Sequence, residues 1–61
     1  MTLTTAMQKA RQLAIKKNTE TFVYHDEDGY EIGTEADADT YFYGQNPVAG
    51  FWPDGDSMER Y

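Results

Sequence analysis

Catalysis by a nucleophile or by general acid and base needs a reactive group held beside a proton acceptor. This 61-residue chain offers few groups for either role. Its one histidine, His25, closes a run of strand-forming residues and precedes an acidic turn, and its one serine, Ser57, lies in a polar stretch near the end. Neither has a partner at a fixed spacing. Cysteine is absent, which removes thiolate nucleophiles, disulfides and thiolate zinc sites together. The reading is of a protein that is not an enzyme, with no catalytic residue and with His25 as an exposed strand-end side chain.

Carboxylates are the more plentiful chemistry. Asp26, Asp28, Gly29 and Glu35 have part of the spacing of a calcium-binding loop between two helices. Tyr24 stands where that loop needs its first ligand, and the segment reads as a hairpin. Asp54-Gly55-Asp56-Ser57 is only a fragment of the same pattern. The five glycines are dispersed as turn and cap residues, so no glycine-rich loop is available to cradle a phosphate. Neither a metal nor another cofactor is expected.

Charge is distributed unevenly. Through Lys17 the chain carries Lys9, Arg11, Lys16 and Lys17 and no acid; from Asn18 onward eleven acids stand against Arg60 alone. A +4 head thus precedes a −10 remainder, and the whole is −6. That balance argues against binding DNA, RNA or an anionic membrane with the main surface and favours a basic partner. Asp26, Glu27, Asp28, Glu31, Glu35 and Asp39 are the candidate contact residues. Carboxylates two apart on a strand are separated by roughly 6.7 Å, and four apart on a helix they rise by about 6 Å. A track of this kind approximates a row of phosphates. Its local alternative is that turn acids form turns, first-turn acids suit a helix dipole, and the surplus serves solubility.

These residues depend on a small number of elements. Leu3, Ala6, Met7, Ala10, Leu13 and Ala14 recur at the spacing of one helix face, with Thr4 or Thr5 as the N-cap, Gln8 completing a capping box, and Asn18 as the C-cap. Lys9, Arg11, Gln12, Lys16 and Lys17 fall on the outward face. Thr19–His25, rich in Thr21, Phe22, Val23 and Tyr24, and Tyr30–Ile32 read as two strands joined at Asp26-Glu27-Asp28-Gly29, with Phe22, Tyr24, Tyr30 and Ile32 covering the helix. Thr34, followed three residues later by Asp37, starts a second helix with Ala38, Tyr41 and Phe42 inward and Gly44 as its stop. Val48–Trp52 is a third, edge strand. The order helix, strand, strand, helix, strand predicts an α+β domain over 1–53, its short antiparallel sheet packed on the first helix. Residues 54–61 read as a polar, loose tail.

Nine aromatic rings, 15% of the chain, exceed what so small a core needs. Consecutive Tyr41, Phe42 and Tyr43 point about 100° apart on a helix, so at least one is exposed. Tyrosine and tryptophan carry much of the energy of protein interfaces, which makes Tyr43, Trp52 and Tyr61 candidate contact residues beside the acids. The longest purely apolar runs are Leu13-Ala14-Ile15 and Tyr41-Phe42-Tyr43, so neither a signal peptide nor a membrane span is read. The cytoplasm is the expected compartment.

A tiny, cysteine-free, acidic and aromatic-rich chain resembles the small accessory proteins of bacteriophages and other mobile elements, among them anti-CRISPR and anti-restriction inhibitors. The resemblance lies in size, charge and composition over the whole chain, and it assigns no functional residue. It implies a phage protein in the host cytoplasm, a DNA mimic that acts stoichiometrically and without cofactor on a basic, nucleic-acid-binding surface of a larger protein or complex. The alternatives are a structural or regulatory subunit that self-associates or joins an assembly through exposed rings, and a small enzyme or metal protein. Monomer and homodimer are both compatible with the composition.

Overall fold

The structure, a computed structural model, describes residues 1–58. The elements are α1 (Leu3–Lys17), β1 (Thr21–Asp26), β2 (Gly29–Thr34), α2 (Glu35–Thr40) and β3 (Ala49–Phe51). This is the expected α+β order. The three strands form one antiparallel sheet in the order β2-β1-β3, so the first strand of the hairpin is the central one.

The cap of helix α1 lies two residues before Thr4 and three before Thr5. Thr2 is the N-cap, its hydroxyl oxygen accepting from the Thr5 N–H at 3.2 Å, and Leu3 is left exposed. At the other end Asn18 takes the left-handed conformation (φ 51°), and Lys16 and Lys17 fill the last turn, where the helix dipole favours cations. The buried stripe is Ala6, Ala10 and Ala14. Three methyl groups four residues apart let the helix lie close to the sheet, where they pack with Val23 and Phe51, flanked by Met7, Tyr30, Ile32 and Ala49. Tyr30 and Ile32 therefore cover α1 as expected.

Phe22 and Tyr24 do not. Successive strand residues point to opposite faces, and in β1 it is Val23 that meets α1. Phe22 and Tyr24 face the other way and form a second cluster with Met58, flanked by Ala38 and Phe42. Both faces of the central strand are thus covered, so Thr21, Phe22, Val23 and Tyr24 are all buried. A strand covered on both faces loses the alternation that would reveal which side is which.

The second layer starts at Thr34, whose hydroxyl accepts from the Asp37 N–H while the Asp37 carboxylate accepts from the Thr34 N–H at 3.0 Å, a reciprocal capping box. Helix α2 ends at Thr40 with Tyr41 as its C-cap, short of Gly44. Tyr41 is consequently 77% exposed rather than inward. Phe42 turns in and stacks on Tyr24, with ring centroids 4.2 Å apart and planes 4° from parallel.

Residues 54–58 are packed, and do not form the loose tail read from their polarity. After Pro53 the chain turns back through Gly55 (φ +93°), where Asp54 Oδ1 accepts from the Asp56 N–H at 2.9 Å. The returning segment bridges Phe51 to Ser57, and the Met58 N–H donates to the Gly50 carbonyl at 2.9 Å. Arg11 Nε donates to the Gly55 carbonyl at 3.2 Å and ties the turn to α1. Backbone pairing and the burial of Met58 hold this segment; its polar side chains simply face out.

Candidate functional site

Strand parity places the acids. Asp26 and Glu31 share the sheet face of Phe22, Tyr24 and Gly33, the face that α2 covers. Glu35 and Asp39 are exposed on α2 itself, and Glu27 and Asp28 are exposed at the tip of the hairpin. The layer built on α2 and the hairpin end therefore holds all six candidate carboxylates. Lys9, Arg11, Lys16 and Lys17 lie on α1, against the opposite face of the sheet. The sheet lies between the six candidate carboxylates and these four cations, while Asp54 and Asp56, also exposed, flank Gly55 in the turn that Arg11 ties to α1.

The six are not equivalent. Asp26 is half-buried, and its Oδ1 accepts from the Asp28 N–H at 2.9 Å, so it shapes the turn that Gly29 completes with φ +124°. Glu27, Asp28, Glu31, Glu35 and Asp39 are exposed. Asp37, which the sequence reading gave only a capping role, also lines a groove of about 470 Å³ with Glu31, Ile32, Tyr41 and Phe42. Tyr41, expected inward, stands exposed beside this groove. The signal for it was Thr40, whose hydroxyl donates to the Ala36 carbonyl at 3.1 Å; such back-bonding competes with helix continuation.

Of the aromatic candidates, Tyr43 is 84% and Trp52 46% exposed, and Tyr61 lies outside the described residues. Tyr43 follows α2 directly, whereas Trp52 follows β3, where its N–H donates to the Asp56 carbonyl at 2.8 Å. They belong to different segments of the chain.

His25 is exposed on the α1 side of the hairpin, its ring edge-on to Tyr30 at 5.1 Å. Ser57 lies beside Phe51, which pairs with Thr21 at the far end of β1. Four strand residues, roughly 13 Å at 3.3 Å each, separate those ends, so the fold does not bring the histidine to the serine. Among the described residues no group of three or more His, Asp or Glu stands close enough to hold a metal ion, and no helix is long and apolar enough to cross a membrane.

No protein-family model, curated protein or solved structure matches this chain.

Proposed function

We propose that this protein is a non-enzymatic inhibitor whose acidic layer occupies a basic, nucleic-acid-binding surface of a larger protein or complex. The observation that supports this reading is the segregation of charge across the sheet, with five exposed carboxylates on the hairpin tip, β2 and α2 and four cations on α1. Among the described residues Asp54 and Asp56, in the turn against α1, are the exposed acids outside this set; the five stand on contiguous segments with no lysine or arginine among them. A basic groove built for phosphates would meet the carboxylates as a comparable row of negative charge. Electrostatic attraction of this kind mainly accelerates encounter, and Tyr41 and Tyr43, exposed next to the acids on the same segment, supply apolar contact area once the surfaces meet.

The test replaces Glu27, Asp28, Glu31, Glu35 and Asp39 by their amides. A partner captured by the parent protein should bind the variant at least tenfold more weakly at low salt, with an unchanged circular dichroism spectrum. Equal binding would remove the acidic layer from the interface. The second reading, self-association or assembly through exposed rings, draws on the 77% and 84% exposure of Tyr41 and Tyr43. It requires a sedimentation coefficient that rises with protein concentration and a rise that is lost on Tyr41→Ser with Tyr43→Ser.

A further inference from the structure

The two edges of the sheet are finished differently. Outside β3 the returning segment supplies a cover: the Met58 N–H donates to the Gly50 carbonyl and the Trp52 N–H to the Asp56 carbonyl. Outside β2 the cover is interrupted. In an antiparallel pair, alternate residues turn both backbone polar groups toward the partner strand, and those between turn both away. The Tyr30 N–H donates outward to the Met1 carbonyl at 3.1 Å, and the Thr34 N–H donates outward to Asp37 Oδ2 at 3.0 Å. Ile32 lies midway and shares their parity, so its N–H and C=O also point away from β1. Among the described residues no group hydrogen-bonds to either.

This open position sits between two hollows. On the α2 side is the groove of about 470 Å³ lined by Glu31, Ile32, Asp37, Tyr41 and Phe42. On the α1 side is a smaller hollow of about 200 Å³ lined by Lys9, Gln12, Leu13, Lys16 and Ile32. One wall is acidic and aromatic; the other is basic with an apolar floor.

We infer that the β2 edge at Ile32 receives an extended peptide with alternating basic and acidic side chains, added to the sheet as a further strand. Backbone bonds to Ile32 fix its position, as in other recognition by strand addition. Because successive side chains of a strand point to opposite faces, every second residue enters the Glu31 groove and those between enter the lysine hollow. An arginine suits the first, where Glu31 accepts its N–H groups and the exposed Tyr41 ring lies beside its planar cation. A glutamate suits the second, between Lys9 and Lys16. A second copy of this chain is disfavoured as the occupant. Antiparallel pairing of two β2 edges about Ile32 keeps both α1 layers on one side, so the lysine hollows of the two copies would adjoin, while each Glu31 would stand opposite a Gly33 and gain no cation. This site shares Glu31 and Tyr41 with the proposed acidic interface, but its backbone bonds to Ile32 do not depend on that reading.

The experiment uses synthetic eight-residue peptides with blocked ends: one alternating Arg and Glu, one with the same residues in two blocks, and one of alternating Ser and Thr. Binding is followed by amide chemical shifts of the isotope-labelled protein. The alternating peptide should shift the Ile32 amide and protect it from hydrogen exchange, with the other two binding at least tenfold more weakly. Chemically synthesised protein carrying N-methyl-Ile32 loses only an outward N–H, so it should keep its circular dichroism and lose binding at least tenfold. Glu31→Lys, which leaves the backbone intact, should do the same and decides the matter if the methylated chain fails to fold. Equal affinity for the block peptide, an unmoved Ile32 amide, no binding at all, or a concentration-dependent dimer that perturbs Ile32 would each overturn the inference.

Discussion

Gly33 and Phe42 decide whether the acidic layer is built as described, because the ring of Phe42 crosses the face of β2 at Gly33, which has no side chain to meet it. A Cβ placed on Gly33 would lie 2.7 Å from Phe42 Cε2 and 3.2 Å from the Asp37 Cβ. The ring is sandwiched against Tyr24 at 4.2 Å and has little freedom to retreat. Overpacking of this kind costs about 1–3 kcal/mol, offset by roughly 0.5–1 kcal/mol from removing a glycine within a strand. Gly33→Ala should therefore destabilise by about 1–2 kcal/mol. At about 4–8 °C per kcal/mol for a domain of this size, Tm falls by roughly 5–15 °C. The sharper readout is a double-mutant cycle in urea, followed by circular dichroism. In a Phe42→Ala background only the Asp37 Cβ at 3.2 Å stays close, and the added methyl should cost less than about 0.5 kcal/mol, giving a coupling near 1–2 kcal/mol. If Gly33→Ala costs the same in both backgrounds, Phe42 does not cross Gly33, and the placement of α2 over the sheet is wrong.

Three further outcomes follow from the same packing. Met58→Ala should cost about 2–4 kcal/mol by emptying the cluster around Phe22 and Tyr24, whereas a loose tail would show no change in the urea midpoint. Asp37→Ala removes half of the capping box and should cost about 0.5–2 kcal/mol, while Glu35→Gln, exposed in the same first turn, should stay within about 0.5 kcal/mol. Asn18→Gly should leave Tm within a few degrees, because glycine accepts the left-handed conformation freely; Asn18→Val should lower it clearly, since a β-branched residue is strained there.

The elements legible in the sequence were those whose signals are local. The hairpin followed from Asp26-Glu27-Asp28-Gly29, the α2 start from Thr34 and Asp37, and the end of α1 from Asn18, each a backbone preference carried by a few neighbouring residues. Assignments that depended on the third dimension were less accessible. Phe22 and Tyr24 share one strand face, which points to them as the cover of α1, yet the three alanines of α1 meet Val23 and Phe51, and the two rings pack with Met58 beside Phe42. The tail was read as loose because Asp54, Gly55, Asp56 and Ser57 are polar. The same residues are turn formers between Phe51 and Met58, the pattern of a second, smaller hairpin. The charged residues of the candidate site were all visible, but their assembly into one layer required the strand parity and the position of α2.

The most direct test of the proposed function is elution by nucleic acid. The protein is immobilised, exposed to a nuclease-treated cell lysate, washed, and then challenged with a short DNA duplex and separately with stepped salt. If the acidic layer stands in for phosphates, proteins that bind nucleic acid should leave the matrix with the duplex, at salt where a neutral peptide fails to displace them. The matrix carrying the five amide substitutions should retain none of them. Retention of the same proteins on that matrix, or bound proteins that still take up DNA while attached, would contradict the account.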